Sequence, residues 1–114
     1  CVFGVLNGAK FDDGINCNDS GTEPVGSFSA NNYGFYDMSG NVWEWNDDWY
    51  EERYYLASPL KSPLGPSSGS KKVVRGGSWA DTNIYSMRLA LRIGYEPVTV
   101  GELIGFRCAR FASE

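Results

Sequence analysis

Nowhere in this chain do apolar residues recur at i, i+3, i+4 and i+7 for long enough to lay a stripe along a helix. That absence constrains the fold more than any single motif. Without long helices to pack, buried surface must come from short strands and from large side chains carried on loops. The composition supplies the means: 14 glycines for sharp backbone turns, and aromatics at 15% of residues, with four Trp and seven Tyr. An aromatic side chain removes ~150–250 Å² from water, so Trp43, Trp45, Trp49 and Trp79 are read first as core. The 114 residues allow one core and hence one domain, 1–114.

Turn chemistry punctuates the chain. Residues 1–30 read mostly as loop, with turn dipeptides at Asn7-Gly8 and Asp13-Gly14 and a short extended piece from Glu23 to Phe28. Asp37-Met38-Ser39-Gly40-Asn41 is a turn, after which Val42 to Trp45 alternates as a strand does. Val42 and Glu44 then face one side, Trp43 and Trp45 the other. Ser58 to Ser70 is rich in Pro, Ser and Gly and reads as an exposed loop. Lys71 to Trp79 is a strand running into a kink at Gly76-Gly77. Ile84 to Ile93 holds the candidate helical turns, and Ile104 to Phe111 alternates as a closing strand.

The residue counts exclude much chemistry. There is no histidine, so the chain itself can build no Ser-His-Asp triad, no Cys-His dyad and no two-His-one-carboxylate iron site. The net charge of -4 argues against nucleic acid, whose phosphates need a basic face. No apolar run approaches the ~20 residues of a membrane span. The three cysteines, Cys1, Cys17 and Cys108, match no zinc spacing. Asn16 to Gly21 starts like a calcium loop but has Ser27 where the closing Glu belongs. A chain that opens on Cys1 without Met is expected to be a processed product or part of something longer. An extracytoplasmic place, or a cell or virion surface, is expected.

Three motifs in order, "NYGFYDMSGNVWEWNDDWY", "VVRGGSW" and "IGFRCAR", resemble the formylglycine-generating enzyme, or sulfatase-modifying factor, family over roughly Pro24 to Arg110. The resemblance implies an α+β, C-type-lectin-like fold with short twisted sheets, long loops and little helix. Family domains are about twice this length, which leaves room for a further domain or an N-terminal half. In the family's enzymes two cysteines after the RGGS-type motif bind copper. By position they fall on Asp81 and Ser86, neither of which supplies the sulfur that Cu(I) prefers, so no copper or iron is expected. The resemblance also places a calcium site on the turn carrying Asp37, Ser39, Asn41 and Glu44, whose hard oxygens suit that ion. If the termini lie side by side, Cys1 and Cys108 are expected to form a disulfide.

These readings converge on a non-catalytic binding domain. The expected ligand surface is the pocket after RGGSW: Trp79, Asp81, Tyr85, Arg88, Arg92 and Tyr95, a polar-aromatic set suited to a protein, peptide or small molecule. Arg88 and Arg92, four apart, are expected on one side of a helical turn. Arg75 and Arg107 are expected to hold strands in register through carboxylates or carbonyls. Two alternatives stand beside this. The chain is also similar to the variable ligand-binding proteins of diversity-generating retroelements, with Asp81 to Leu103 as the variable segment. Or it is a fragment of a family enzyme acting on sulfur groups whose metal ligands lie elsewhere.

Overall fold

The computed structural model describes residues 21–81 and 83–110. Within them four strands form one mixed sheet: β1 (Trp43–Trp49), β2 (Lys72–Arg75), β3 (Ile93–Tyr95) and β4 (Ile104–Gly105), in the order β3-β2-β1-β4. The β1–β2 and β2–β3 pairs are antiparallel, whereas β4 runs parallel to β1. The regular remainder is two 3₁₀ turns, Tyr54–Leu56 and Ile84–Met87. No helix among the described residues is long and apolar enough to cross a membrane.

β2 forms the centre because its two valines are covered on both sides. Adjacent strand residues point to opposite faces, yet Val73 and Val74 are both fully buried. The sheet is therefore packed on each face. Trp43 and Met87 complete the buried apolar set. Trp45 lies opposite Val74, and Glu44 lies opposite both Arg75 and Gly105. Directly opposed residues share a face, so Glu44 and Arg75 mark one side of the sheet and the tryptophans the other. Between Trp45 and Trp49 the register slips, with four steps on β1 against two on β2 (Val74 to Lys72). That bulge bends the end of β1.

The turn before β1 and the kink after β2 are one unit. Asp37, Gly40 and Asn41 all adopt positive φ (53°, 88° and 64°), as do Gly76 (97°) and Gly77 (76°). The Gly40 amide donates to the Gly76 carbonyl at 2.7 Å, and the Trp79 amide donates to the Asn41 carbonyl at 2.8 Å. Two of the three sequence motifs are thus stitched together through the backbone. Gly94 is a close approach within the sheet: a Cβ there would lie 2.5 Å from the Tyr50 ring.

Three expectations need correction. Glu23 to Phe28 is not extended: the Ser27 amide donates to the Pro24 carbonyl at 3.2 Å, making a turn with Gly26 at φ 76°. The closing strand stops at Gly105, because Arg107 reaches across to the turn before β1 and does not continue the ladder. Ile84 to Ile93 is not one helical piece. It is a single 3₁₀ turn, then extended backbone at Arg88, then β3. The proposed Cys1 to Cys108 bridge, Cys17 and the Asn16–Ser20 stretch lie outside the described residues. Cys108 itself is exposed with a free thiol.

Candidate functional site

The kink turns β2 into a tight loop, and the loop folds around Asp81. One carboxylate oxygen, Oδ2, accepts from the Ser78 amide at 2.8 Å, the Ser78 hydroxyl at 2.6 Å and the Trp43 indole Nε1 at 2.9 Å. Burial alone raises the Asp81 carboxyl. Donation from the Ser78 hydroxyl and amide, from Ser86 and from Trp43 outweighs that effect, and the group sits below its ordinary value of 3.8. Asp81 and Ser86, the two positions expected where the family's enzymes carry their cysteines, are therefore brought together. What they form is a hydrogen-bonded knot under the loop, anchored to the buried Trp43.

Beside this knot a cleft of about 500 Å³ opens over the Glu44–Arg75 side of the sheet. Its floor carries Glu44, Asn46 and Arg75, and its walls Met38, Met87 and Leu89. Arg88 and Arg107 stand at its margin. Gly77 makes this packing possible, since a Cβ there would lie 2.5 Å from the Met87 sulfur. Arg75 donates to the Leu89 carbonyl (2.8 Å), the Leu91 carbonyl (3.2 Å) and the Tyr55 hydroxyl (3.0 Å). It ties the segment before β3 and the Tyr54–Leu56 turn to β2 through carbonyls and a hydroxyl.

Arg107 has the same duty on the other edge. It grips Glu44 with both arms (2.6 and 2.5 Å) and donates to the carbonyls of Tyr36 and Asp37 at 3.0 Å each. The hydrogen bond to Glu44 holds the guanidinium above its ordinary value, against the opposing effect of burial. A second cleft of about 450 Å³ lies past this pair, lined by Val25, Phe35, Tyr36 and Phe106 among others.

The expected ligand set is dispersed. Only Arg88 lines the cleft. Asp81 is turned inward. Tyr85 is exposed and Trp79 half-buried, and neither lines either cleft. Tyr95 ends β3, on the far side of β2 from β1. Arg92 is buried rather than presented to solvent. Its guanidinium lies 4.1 Å from the Tyr55 ring centre, near Tyr50 and Tyr54 as well, and donates to the Glu51 carbonyl at 3.1 Å. The extended backbone at Arg88 separates the two arginines that a helical turn would have aligned. Sequence reasoning missed Met38, Met87 and Leu89. No spacing links Met38 to the other two; the link is the Gly40–Gly76 backbone bond.

On the calcium turn, Asp37 accepts from the Gly26 amide at 2.7 Å, and Asn41 donates through its side-chain amide to the Glu23 carbonyl at 3.2 Å. The Asn41 side-chain oxygen is buried and meets no donor among the described residues. Ser39 is buried too. Glu44 spends both oxygens on Arg107. No group of three or more Asp, Glu, Cys or His side chains gathers among the described residues. A cation here would rest on amide, hydroxyl and carbonyl oxygens with Asp37, a donor set that calcium accepts.

Sheet, kink and loop together define an α+β chain of the C-type-lectin-like kind. Its backbone is similar to the solved Treponema denticola variable protein 1, with a TM-score of 0.66 and 34% identity over 82% of this chain and 33% of that one. The chain belongs to the family described as the Sulfatase-modifying factor enzyme 1-like domain, which matches residues 5–112. It is 41% identical to the formylglycine-generating enzyme of Streptomyces coelicolor over 80% of this chain and 30% of that protein. It is 36% identical to the mouse inactive C-alpha-formylglycine-generating enzyme 2 over 92% of this chain and 30% of that protein. The chain thus spans about a third of the length of these relatives.

Proposed function

We propose that this chain is a non-catalytic binding module of the sulfatase-modifying factor family, taking a protein, peptide or small ligand in the cleft beside the glycine kink. The observation that carries this reading is the state of Asp81. An oxygen that accepts three internal donors is fastened into the fold, and Ser86 beside it offers no thiol. The pair suits a scaffold under a binding surface and not the binding of Cu(I). The name of the inactive mouse relative agrees with such a loss in this family.

Two experiments test the reading. Peptides selected from a randomised library on the immobilised chain should lose binding when Leu89→Glu places a charge on the cleft wall. Leu89 is 82% exposed, so the variant should fold. A library that yields no such peptides overturns the binding role. Turnover of a sulfatase-type cysteine peptide with copper and oxygen overturns the non-catalytic role and favours the enzyme-fragment reading. The likeness to a variable protein favours a second reading, a retroelement variable protein. Sister sequences differing mainly between Asp81 and Leu103 would support it.

Calcium is proposed as a structural ion on the turn, held by Asp37, Asn41 and neighbouring carbonyls, with Ser39 at hand and Glu44 left to Arg107. The partnerless Asn41 oxygen supports this. Millimolar calcium should raise the melting temperature by a few degrees, and Asn41→Ala should abolish the shift. No shift in the unsubstituted chain sinks the idea.

A further inference from the structure

The charges around the cleft do not cancel. Its two carboxylates are both taken: Glu44 by Arg107, and Asp47 by Lys72 at 3.4 Å. Arg75 touches only neutral acceptors, the carbonyls of Leu89 and Leu91 and the Tyr55 hydroxyl. Those acceptors take three of its five N–H donors without neutralising it. Arg88 is exposed, and its side chain has no hydrogen bond or ion pair with any described residue. On a chain of net charge -4, this cleft is a local reversal of sign. Such a spot attracts anions against the field of the rest of the surface.

We propose that the cleft receives an organic carboxylate, with Arg88 as the group that binds the anion and the exposed Met38 and Leu89 covering its apolar body above the buried Met87. This rests on the binding reading above and adds the ligand's chemistry. The guanidinium is a planar fork that meets a carboxylate with two parallel hydrogen bonds. Arg75, pinned through Nη1 and Nη2, contributes charge from a fixed position, whereas the Arg88 side chain has no partner among the described residues and offers its whole fork. A cleft of about 500 Å³ is far larger than a lone inorganic anion needs, and it falls in the range of organic ligand sites. The exposed Met38 in its wall makes it adaptable to side chains of different shape. The carboxylate can belong to an acidic side chain of a peptide or to a free small acid, because the fork meets the same two oxygens in each.

The test uses the whole chain and three probes: acetyl-leucyl-glutamyl-amide, acetyl-leucyl-glutaminyl-amide and free hexanoate. Binding is read from amide shifts of Met87, Arg88 and Leu89 in nitrogen-15 spectra. The glutamyl probe should saturate, and the glutaminyl probe should bind about tenfold or more weakly, the size of one charge-assisted contact. Arg88→Gln should level the two probes, while Arg88→Lys should keep part of the preference. Because the exposed Arg88 side chain has no partner among the described residues, both variants should fold, and unchanged shifts elsewhere check this. Hexanoate binding on the same amides supports a small-acid source, and its failure beside glutamyl binding supports a peptide. Equal binding of the two dipeptides overturns the proposal while leaving the cleft a binding site. A preference that survives Arg88→Gln, or no binding by any probe, also overturns it. The randomised-library experiment then decides separately whether the binding reading stands.

Discussion

Asp81 shows how one residue type changes the meaning of a site. A cysteine at this position would present a soft, polarisable sulfur. The aspartate is instead a hard acceptor, and the fold surrounds it with three donors. Asp81→Ala strips those donors of their partner and leaves the Trp43 indole N–H without an acceptor beneath the loop. We expect a loss of about 1–3 kcal/mol in urea unfolding, in line with a half-buried charged acceptor. Asp81→Asn keeps one oxygen and should lose about half as much. The pH dependence follows from the direction of the shift. The folded carboxyl is held below its ordinary value, so its contribution is complete above about pH 4, the unfolded value, and fades as pH falls through the folded value. The unsubstituted chain should therefore lose stability below about pH 4, and Asp81→Asn should lack that component of the slope. An identical acid slope in both proteins would show that Asp81 is not the group responsible.

At the scale of elements, the kink is what turns β2 into a cleft wall. Gly76 and Gly77 both require positive φ, but they differ in surroundings. A Cβ on Gly76 meets only the Met38 carbonyl at 3.6 Å, whereas one on Gly77 falls 2.5 Å from the Met87 sulfur and 2.7 Å from its methyl. Gly76→Ala should therefore cost the backbone strain alone, about 1 kcal/mol. Gly77→Ala should cost about 2–4 kcal/mol, because Met87 is buried and must also repack. Equal losses in thermal or urea unfolding would mean that Met87 does not fill the space beneath the kink. This element was legible in the sequence: two β-branched residues before a glycine pair specify a strand and then a turn. The turn from Asp37 to Asn41 and the strand after it were legible for similar local reasons, as was the pairing of Arg75 with carbonyls and of Arg107 with a carboxylate and carbonyls. The bulge in β1, the early end of β4 and the burial of Arg92 were not. Each depends on a partner far along the chain. Arg92 is drawn in by tyrosines some forty residues earlier, and Arg107 by a turn about seventy residues earlier. The cleft was hidden for the same reason, since Met38 joins Met87 only through the backbone bond between the two motifs.

On the scale of the whole molecule, the imbalance between inside and outside matters most. Among the described residues the buried apolar side chains are Trp43, Val73, Val74 and Met87, while many large ones are exposed. The exposed set is not scattered evenly. Val25, Phe35, Tyr36 and Phe106 gather at the second cleft, and Leu60 and Leu64 lie in the proline-rich loop, with Leu56 at the end of the 3₁₀ turn before it. Apolar surface left in water contributes no stability, at about 25 cal/mol for each Å² not buried. Clustered, it also favours association. The net charge of -4 opposes that association by repulsion, and salt screens the repulsion over roughly 8–10 Å at physiological strength. We therefore expect the isolated chain to bind an apolar fluorescent dye in its folded state, and its sedimentation coefficient to rise with protein concentration, more steeply at high salt than at low. Phe106→Ser and Leu60→Ser change residues that are respectively 76% and 103% exposed, so neither should disturb folding. Dye binding should fall chiefly with Phe106→Ser, since that side chain lines a cleft and Leu60 stands alone in solvent. A chain that stays monomeric at every concentration and ignores the dye would mean that these aromatics are covered in solution by parts of the protein beyond the described residues.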